Sequence, residues 1–190
     1  MKRVSSLLML TVVSTAALLG GRAIVAQAQS QEKSLDQAQA DKYAVRIPDG
    51  LPISAFRGYE DWAVIAVSQT DELVKTILGN PAMIEAYRTG TPGNGKPFPD
   101  GAKMAKIMWS RIQDPTQPGG AFIAGGLKHI DFMEKDAKRF AASDGWGYAQ
   151  IDYDQATGKF TPFGTGVDCG AACHKVAAST DYVFTAYGRR

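Results

Sequence analysis

Gly145-Trp146-Gly147-Tyr148-Ala149-Gln150-Ile151-Asp152-Tyr153 is the stretch that decides the fold. Its side chains alternate, and its aromatic residues suit a pleated face, so it predicts a β-strand with two unlike sides. Ile130-Asp131-Phe132-Met133-Glu134 alternates in the same way. Between Ala102 and Trp109, Lys103, Ala105 and Ile107 face away from Met104, Lys106 and Met108. That pattern predicts a strand with both faces partly apolar. Trp62 to Val67 is short, apolar and partly β-branched, a further strand. Asn80-Pro81 fits an N-cap followed by proline at the first helical position, so a helix is expected through Arg88, ended by Gly90. Thr91 to Asp100 and Gln113 to Gly120 are rich in proline and glycine and read as loops. Gln155 to Lys159 reads as a turn, Phe160 opens another strand, and the last 20 residues look helical. The expected fold class is α+β: an antiparallel β-sheet with a few packed helices, one of them near the C-terminus.

The chain of 190 residues, 45% hydrophobic and 21% charged, suits one folded domain and excludes wholesale disorder. Two cysteines are too few for a disulfide scaffold or a four-thiolate zinc site. The net charge of +2 needs the N-terminus read first. Lys2 and Arg3 precede an uncharged run from Val4 to Gly20, and Ala26-Gln27-Ala28 is a small-x-small site. This is the layout of a secretory signal peptide over residues 1–28. A retained N-terminal anchor is the competing reading. Cleavage after Ala28 removes Lys2, Arg3 and Arg22 and no acid, which turns +2 into −1. Nucleic-acid binding then loses its compositional support. The mature protein is expected to be periplasmic or secreted, with no membrane partner once the signal is gone. Residues 29–46 are polar and read as an N-terminal tether. Ile47-Pro48-Asp49-Gly50-Leu51-Pro52 is turn-rich and marks entry into a folded domain over residues 47–190.

Cys169-Gly170-Ala171-Ala172-Cys173-His174 gathers both cysteines and one of the two histidines into six residues. On a helix, Cys169 and Cys173 share a face. Two thiols can add to the vinyl groups of haem while the adjacent imidazole reaches iron, the logic of c-type attachment. The usual pattern has two residues between the cysteines, whereas here there are three. A local disulfide between Cys169 and Cys173, a small zinc site and an inert pair of thiols are competing readings. No methionine follows His174 to serve as a second axial ligand. Met83, Met104, Met108 and Met133 lie upstream and read as core. The iron is therefore expected to keep an open distal side.

The C-terminal half resembles the cytochrome P-460 family of periplasmic mono-haem proteins. The resemblance rests on Lys135-Asp136-Ala137-Lys138-Arg139-Phe140, Gly145-Trp146-Gly147-Tyr148, the Cys-His cluster and Asp181-Tyr182-Val183-Phe184-Thr185. Gly58-Tyr59-Glu60-Asp61-Trp62 and Phe98-Pro99-Asp100-Gly101 extend it upstream. It implies one haem c held by Cys169 and Cys173, with His174 as the iron ligand, in a protein that is often a homodimer. It also implies, for some members, a bond between a lysine and the porphyrin. The matching position is Lys106, five places after Gly101, with Lys103 on the opposite face as the alternative. Members of this kind oxidise hydroxylamine or process nitric oxide, so small nitrogen-oxide ligands and an external electron acceptor such as a soluble cytochrome are the implied partners. Asp131 and Glu134 are candidates for the base that takes a proton from bound hydroxylamine. They project to opposite faces of one strand, so at most one serves. A gas-binding or electron-transfer cytochrome without turnover is the alternative. His129, beside Lys128, reads as a surface histidine.

Overall fold

The computed structural model describes residues 24, 25, 27–33, 42–48, 50–164 and 167–188. Most of the expected signal peptide, including Ala26, lies outside the described residues. Residues 24, 25 and 27–33 are helical and exposed. No helix among the described residues is long and apolar enough to cross a membrane. The chain divides into two compact units, Met1–Ala40 and Asp41–Arg190. Lys42 and Tyr43, which the sequence places in the tether, are buried in the second unit. Tyr43 donates its hydroxyl hydrogen to Glu60 Oε2 at 2.9 Å and accepts from the Gly58 N–H at 3.1 Å. Lys42 pairs with Glu60 and donates to the Tyr59 hydroxyl at 3.3 Å. These partners draw the start of the folded unit back from residue 47 to about residue 42.

Six strands form one antiparallel sheet in sequence order: β1 (Ala63–Gln69), β2 (Leu73–Gly79), β3 (Lys103–Gln113), β4 (Phe122–Lys135), β5 (Trp146–Asp154) and β6 (Lys159–Pro162). Helix α1 (Pro81–Arg88) follows β2, and α2 (Val167–His174) follows β6. With the packed helices, the α+β expectation holds. Asn80 caps α1 as read, its Oδ1 accepting from the Met83 N–H at 3.0 Å, with Pro81 at the start.

The sheet is covered on both faces, and its central strands bury apolar residues on each side. On one face, Leu78, Ala105, Ile130, Phe132, Ala149 and Ile151 pack under the segment from Tyr43 to Tyr59. Phe132 is 4.8 Å from the Phe56 ring and 5.4 Å from that of Tyr59. Burying such a side chain contributes roughly 2–3 kcal/mol. On the other face, Ile77, Met104, Met133, Trp146 and Tyr148 pack with α1, Phe98 and Val183. Period-2 geometry sends Lys103 to the first face and Lys106 to the second.

Two strands differ from expectation. The sequence predicts nothing over Leu73–Gly79, which forms β2 between β1 and β3. β4 begins at Phe122, eight residues before the predicted stretch at Ile130. Gly125 and Gly126 lie inside this added part, and a Cβ at Gly126 would collide with the Gln155 amide. The glycine leaves room for that side chain against β4.

Candidate functional site

The second face of the sheet carries a cavity of about 470 Å³. Its floor follows the sheet register. Ile77, Lys106, Asp131 and Gln150 stand side by side on β2 to β5, and Met104, Met133 and Tyr148 form the next row. The roof is α2 and the chain after it: Cys169, Gly170, Cys173, His174, Val183 and Phe184. Tyr148 of the second row lies against the His174 ring. Met104 and Met133 are buried, as read, but each also shows an edge to the cavity.

Gly170 sets the distance between roof and floor. A Cβ there would overlap the Tyr148 side chain. The glycine between the cysteines thus lets α2 lie directly on β5. Cys169 and Cys173 are one turn apart, free, exposed and at the cavity wall.

His174 is held at three points. Its ring is tilted against Tyr148 at 4.9 Å and Phe184 at 4.8 Å. Its Nδ1 is 2.7 Å from the Tyr182 carbonyl oxygen. A carbonyl only accepts, so Nδ1 carries the hydrogen and Nε2 keeps its lone pair. Burial pushes the imidazole pKa down; the Tyr182 hydrogen bond opposes this, Lys106 adds to it and Asp131 opposes it. The neutral ring with a free Nε2 is the form that ligates a metal ion.

Lys106 and Asp131 face each other on β3 and β4, with Nζ 2.7 Å from Oδ2. Asp131 Oδ1 is buried without a hydrogen-bond partner; His129 Nε2 stands 3.9 Å away. His129, read as a surface histidine, is partly exposed, its side chain at 24%. Glu134 does not reach the cavity. It pairs with Lys103 at 3.1 Å on the opposite face, where Lys103 also donates to the Ala55 carbonyl at 2.9 Å. The structure therefore brings Lys106, Asp131, Cys169, Cys173 and His174 together and leaves Lys103 and Glu134 outside.

These residues fit a flat, apolar, iron-bearing group. Phe163 and Phe184 line the cavity yet remain 51% and 60% exposed, apolar surface of the kind a bound ring system covers. Two thiols and one imidazole with a free nitrogen converge on the same space. The sequence passed over Tyr148, Phe163, Phe184 and the Tyr182 carbonyl as site groups. The only signals for them were the alternation of β5 and the nearness of residues 182–184 to the Cys-His cluster.

Fold and site together define a c-type haem protein built on an antiparallel sheet. The family model for cytochrome P460 matches residues 56–185, and the chain belongs to that family. Membership implies a haem c cofactor. No curated protein matches the chain.

Proposed function

We propose that this is an exported mono-haem cytochrome that oxidises hydroxylamine or processes nitric oxide at an open iron site. The carrying observation is the placement of the Lys106–Asp131 pair in the wall of the cavity that Cys169, Cys173 and His174 roof. Cys169 and Cys173 would hold the porphyrin and His174 Nε2 would take the iron. Bound there, the haem supplies a redox-active metal that exchanges electrons singly.

The protein's own groups handle position and protons. Asp131, a carboxylate in the cavity wall, accepts a proton from hydroxylamine. Gln150, the register neighbour of Asp131, lies in the same charged row and is a hydrogen-bonding group beside the ligand. Met104 and Met133 make the neighbouring row apolar. Lys106 would be the residue that bonds to the porphyrin. Electrons leave to an external acceptor such as a soluble cytochrome. Residues 1–28 act as the export signal, so the protein works in the periplasm or outside the cell, away from nucleic acid and membrane. A homodimer is the expected assembly.

One observation favours the second reading, a gas-binding or electron-transfer cytochrome without turnover. The 2.7 Å ion pair engages Lys106 as an ammonium, whose nitrogen has no lone pair for a bond to carbon. Anaerobic incubation of the haem-loaded protein with hydroxylamine and a dye acceptor separates the two. Dye reduction over many turnovers is expected; nitric oxide binding with no dye reduction would leave only the second reading.

A further inference from the structure

Lys135 ends β4 with its side chain 6% exposed. A buried ammonium is costly unless it is paired and hydrogen-bonded. Lys135 Nζ lies 2.8 Å from Asp181 Oδ1, 3.1 Å from the Asp144 carbonyl oxygen and 5.0 Å from the centre of the Trp146 ring. The other oxygen of Asp181 accepts from the Phe98 N–H at 2.7 Å. Neither Lys135 nor Asp181 lines the cavity.

Asp181 begins a turn that non-glycine residues seldom adopt. Its φ is 49°, and that of Tyr182 is 65°. Two successive left-handed residues cost energy, so neighbouring contacts must hold them. The Tyr182 N–H donates to the Ala177 carbonyl at 2.9 Å. The Tyr182 carbonyl takes the Nδ1–H of His174 at 2.7 Å. The acceptor that orients the imidazole therefore stands on a strained turn, and the residue before it is anchored by Lys135.

We propose that the buried Lys135–Asp181 ion pair is a positioning device for the proximal ligand. It holds the Asp181–Tyr182 turn so that the Tyr182 carbonyl keeps the Nδ1–H of His174. That hydrogen bond makes the imidazole a stronger electron donor to iron and lowers the reduction potential of the haem. Lys135 and Asp181 act through Tyr182 and His174 and touch neither substrate nor porphyrin. The inference rests on His174 being the iron ligand.

The test uses the full chain with its haem attached, read by the Fe–His stretching band of the ferrous form and by the reduction potential. Lys135→Met is expected to shift the band to lower frequency and the potential to more positive values. Lys135→Met combined with Asp181→Asn, which leaves no orphaned charge, is expected to do the same. Lys135→Arg is expected to return both readouts toward those of the parent protein. A purely structural pair would lower the melting temperature and leave band and potential unchanged, and that result in the folded double variant would overturn the proposal. The parent protein gives a second check that needs no variant. Its Nδ1 proton is expected to exchange slowly with deuterium, and loss of that proton on mixing would overturn the proposal alone. Absence of any Fe–His band in the haem-loaded parent would instead overturn the ligand assignment, and the proposal with it.

Discussion

β3 and β4 carry two lysine–carboxylate pairs that differ mainly in which face of the sheet they occupy. Lys103–Glu134 closes at 3.1 Å and Lys106–Asp131 at 2.7 Å, both as directly opposed residues of the same ladder. The first lies under the N-terminal segment, with Lys103 5.2 Å from the centre of the Phe56 ring and bonded to the Ala55 carbonyl. Lys103 thereby helps to hold that segment down. The second opens on the cavity and has a buried oxygen without a hydrogen-bond partner. Chemical capacity therefore comes from the face, since the residue types alone are nearly the same.

Neutralising each acid in turn breaks the comparison most sharply. Asp131→Asn is expected to lower kcat for hydroxylamine oxidation by roughly 100-fold or more, the usual range for a lost general base, whereas Glu134→Gln changes it by less than about threefold. Steady-state dye reduction measures both. Equal losses would remove the distinction between the faces.

Replacing each lysine by leucine comes next. Lys106→Leu is expected to abolish the red shift of the ferrous Soret band that a lysine–porphyrin bond produces, and Lys103→Leu to leave the band in place. Absorption spectra of the two variants decide the matter. An unchanged Lys106→Leu spectrum would mean that no such bond forms.

Stability should sort the pairs in the opposite order. Glu134→Gln leaves the Lys103 ammonium short of its charged partner at a site where the side chains are only 18% and 16% exposed. A cost of about 2 kcal/mol is expected in urea unfolding. Asp131→Asn, at a more open site, should cost less.

The smallest effect concerns acid. Glu60 lies on the Lys103 side of the molecule; burial pushes its pKa up, but hydrogen bonds from Lys42, the backbone and Tyr43 outweigh this and hold it below the ordinary carboxylate value. A carboxylate with a lowered folded-state pKa adds stability that is present above its unfolded-state value and lost as the pH falls through the folded one. Glu60→Gln should therefore flatten the acid limb of the stability curve and leave the ferrous spectrum at neutral pH unaltered. Unfolding midpoints measured across the acid range check it.

The same pairs show how far the sequence could be read. Period-2 geometry already puts Asp131 and Glu134 on opposite faces, and likewise Lys106 and Lys103. Which face bears the cavity depends on what covers it, and the covers come from residues 43–59 and 167–184, far away in the chain. The alternation of β5 and the Asn80-Pro81 cap are local signals, and both were legible. β2 was not, because Leu73 to Gly79 is half or fully buried along its whole length and shows no polar face. The extra half of β4 was hidden by Gly125 and Gly126, whose usual meaning is a break. At the site, the Cys-His cluster announces itself because all its ligands are local. The Tyr182 carbonyl does not, because a backbone acceptor leaves no mark on residue type.

The central claim is that this cavity holds a covalently attached haem with His174 on the iron and an open opposite side. The absorption spectrum of the ferrous full-length protein, produced with export to the periplasm, tests it most directly. The account predicts haem bands of a five-coordinate, high-spin iron with a red-shifted Soret maximum. A spectrum without haem bands, or one of a low-spin iron with both axial positions filled, would contradict it.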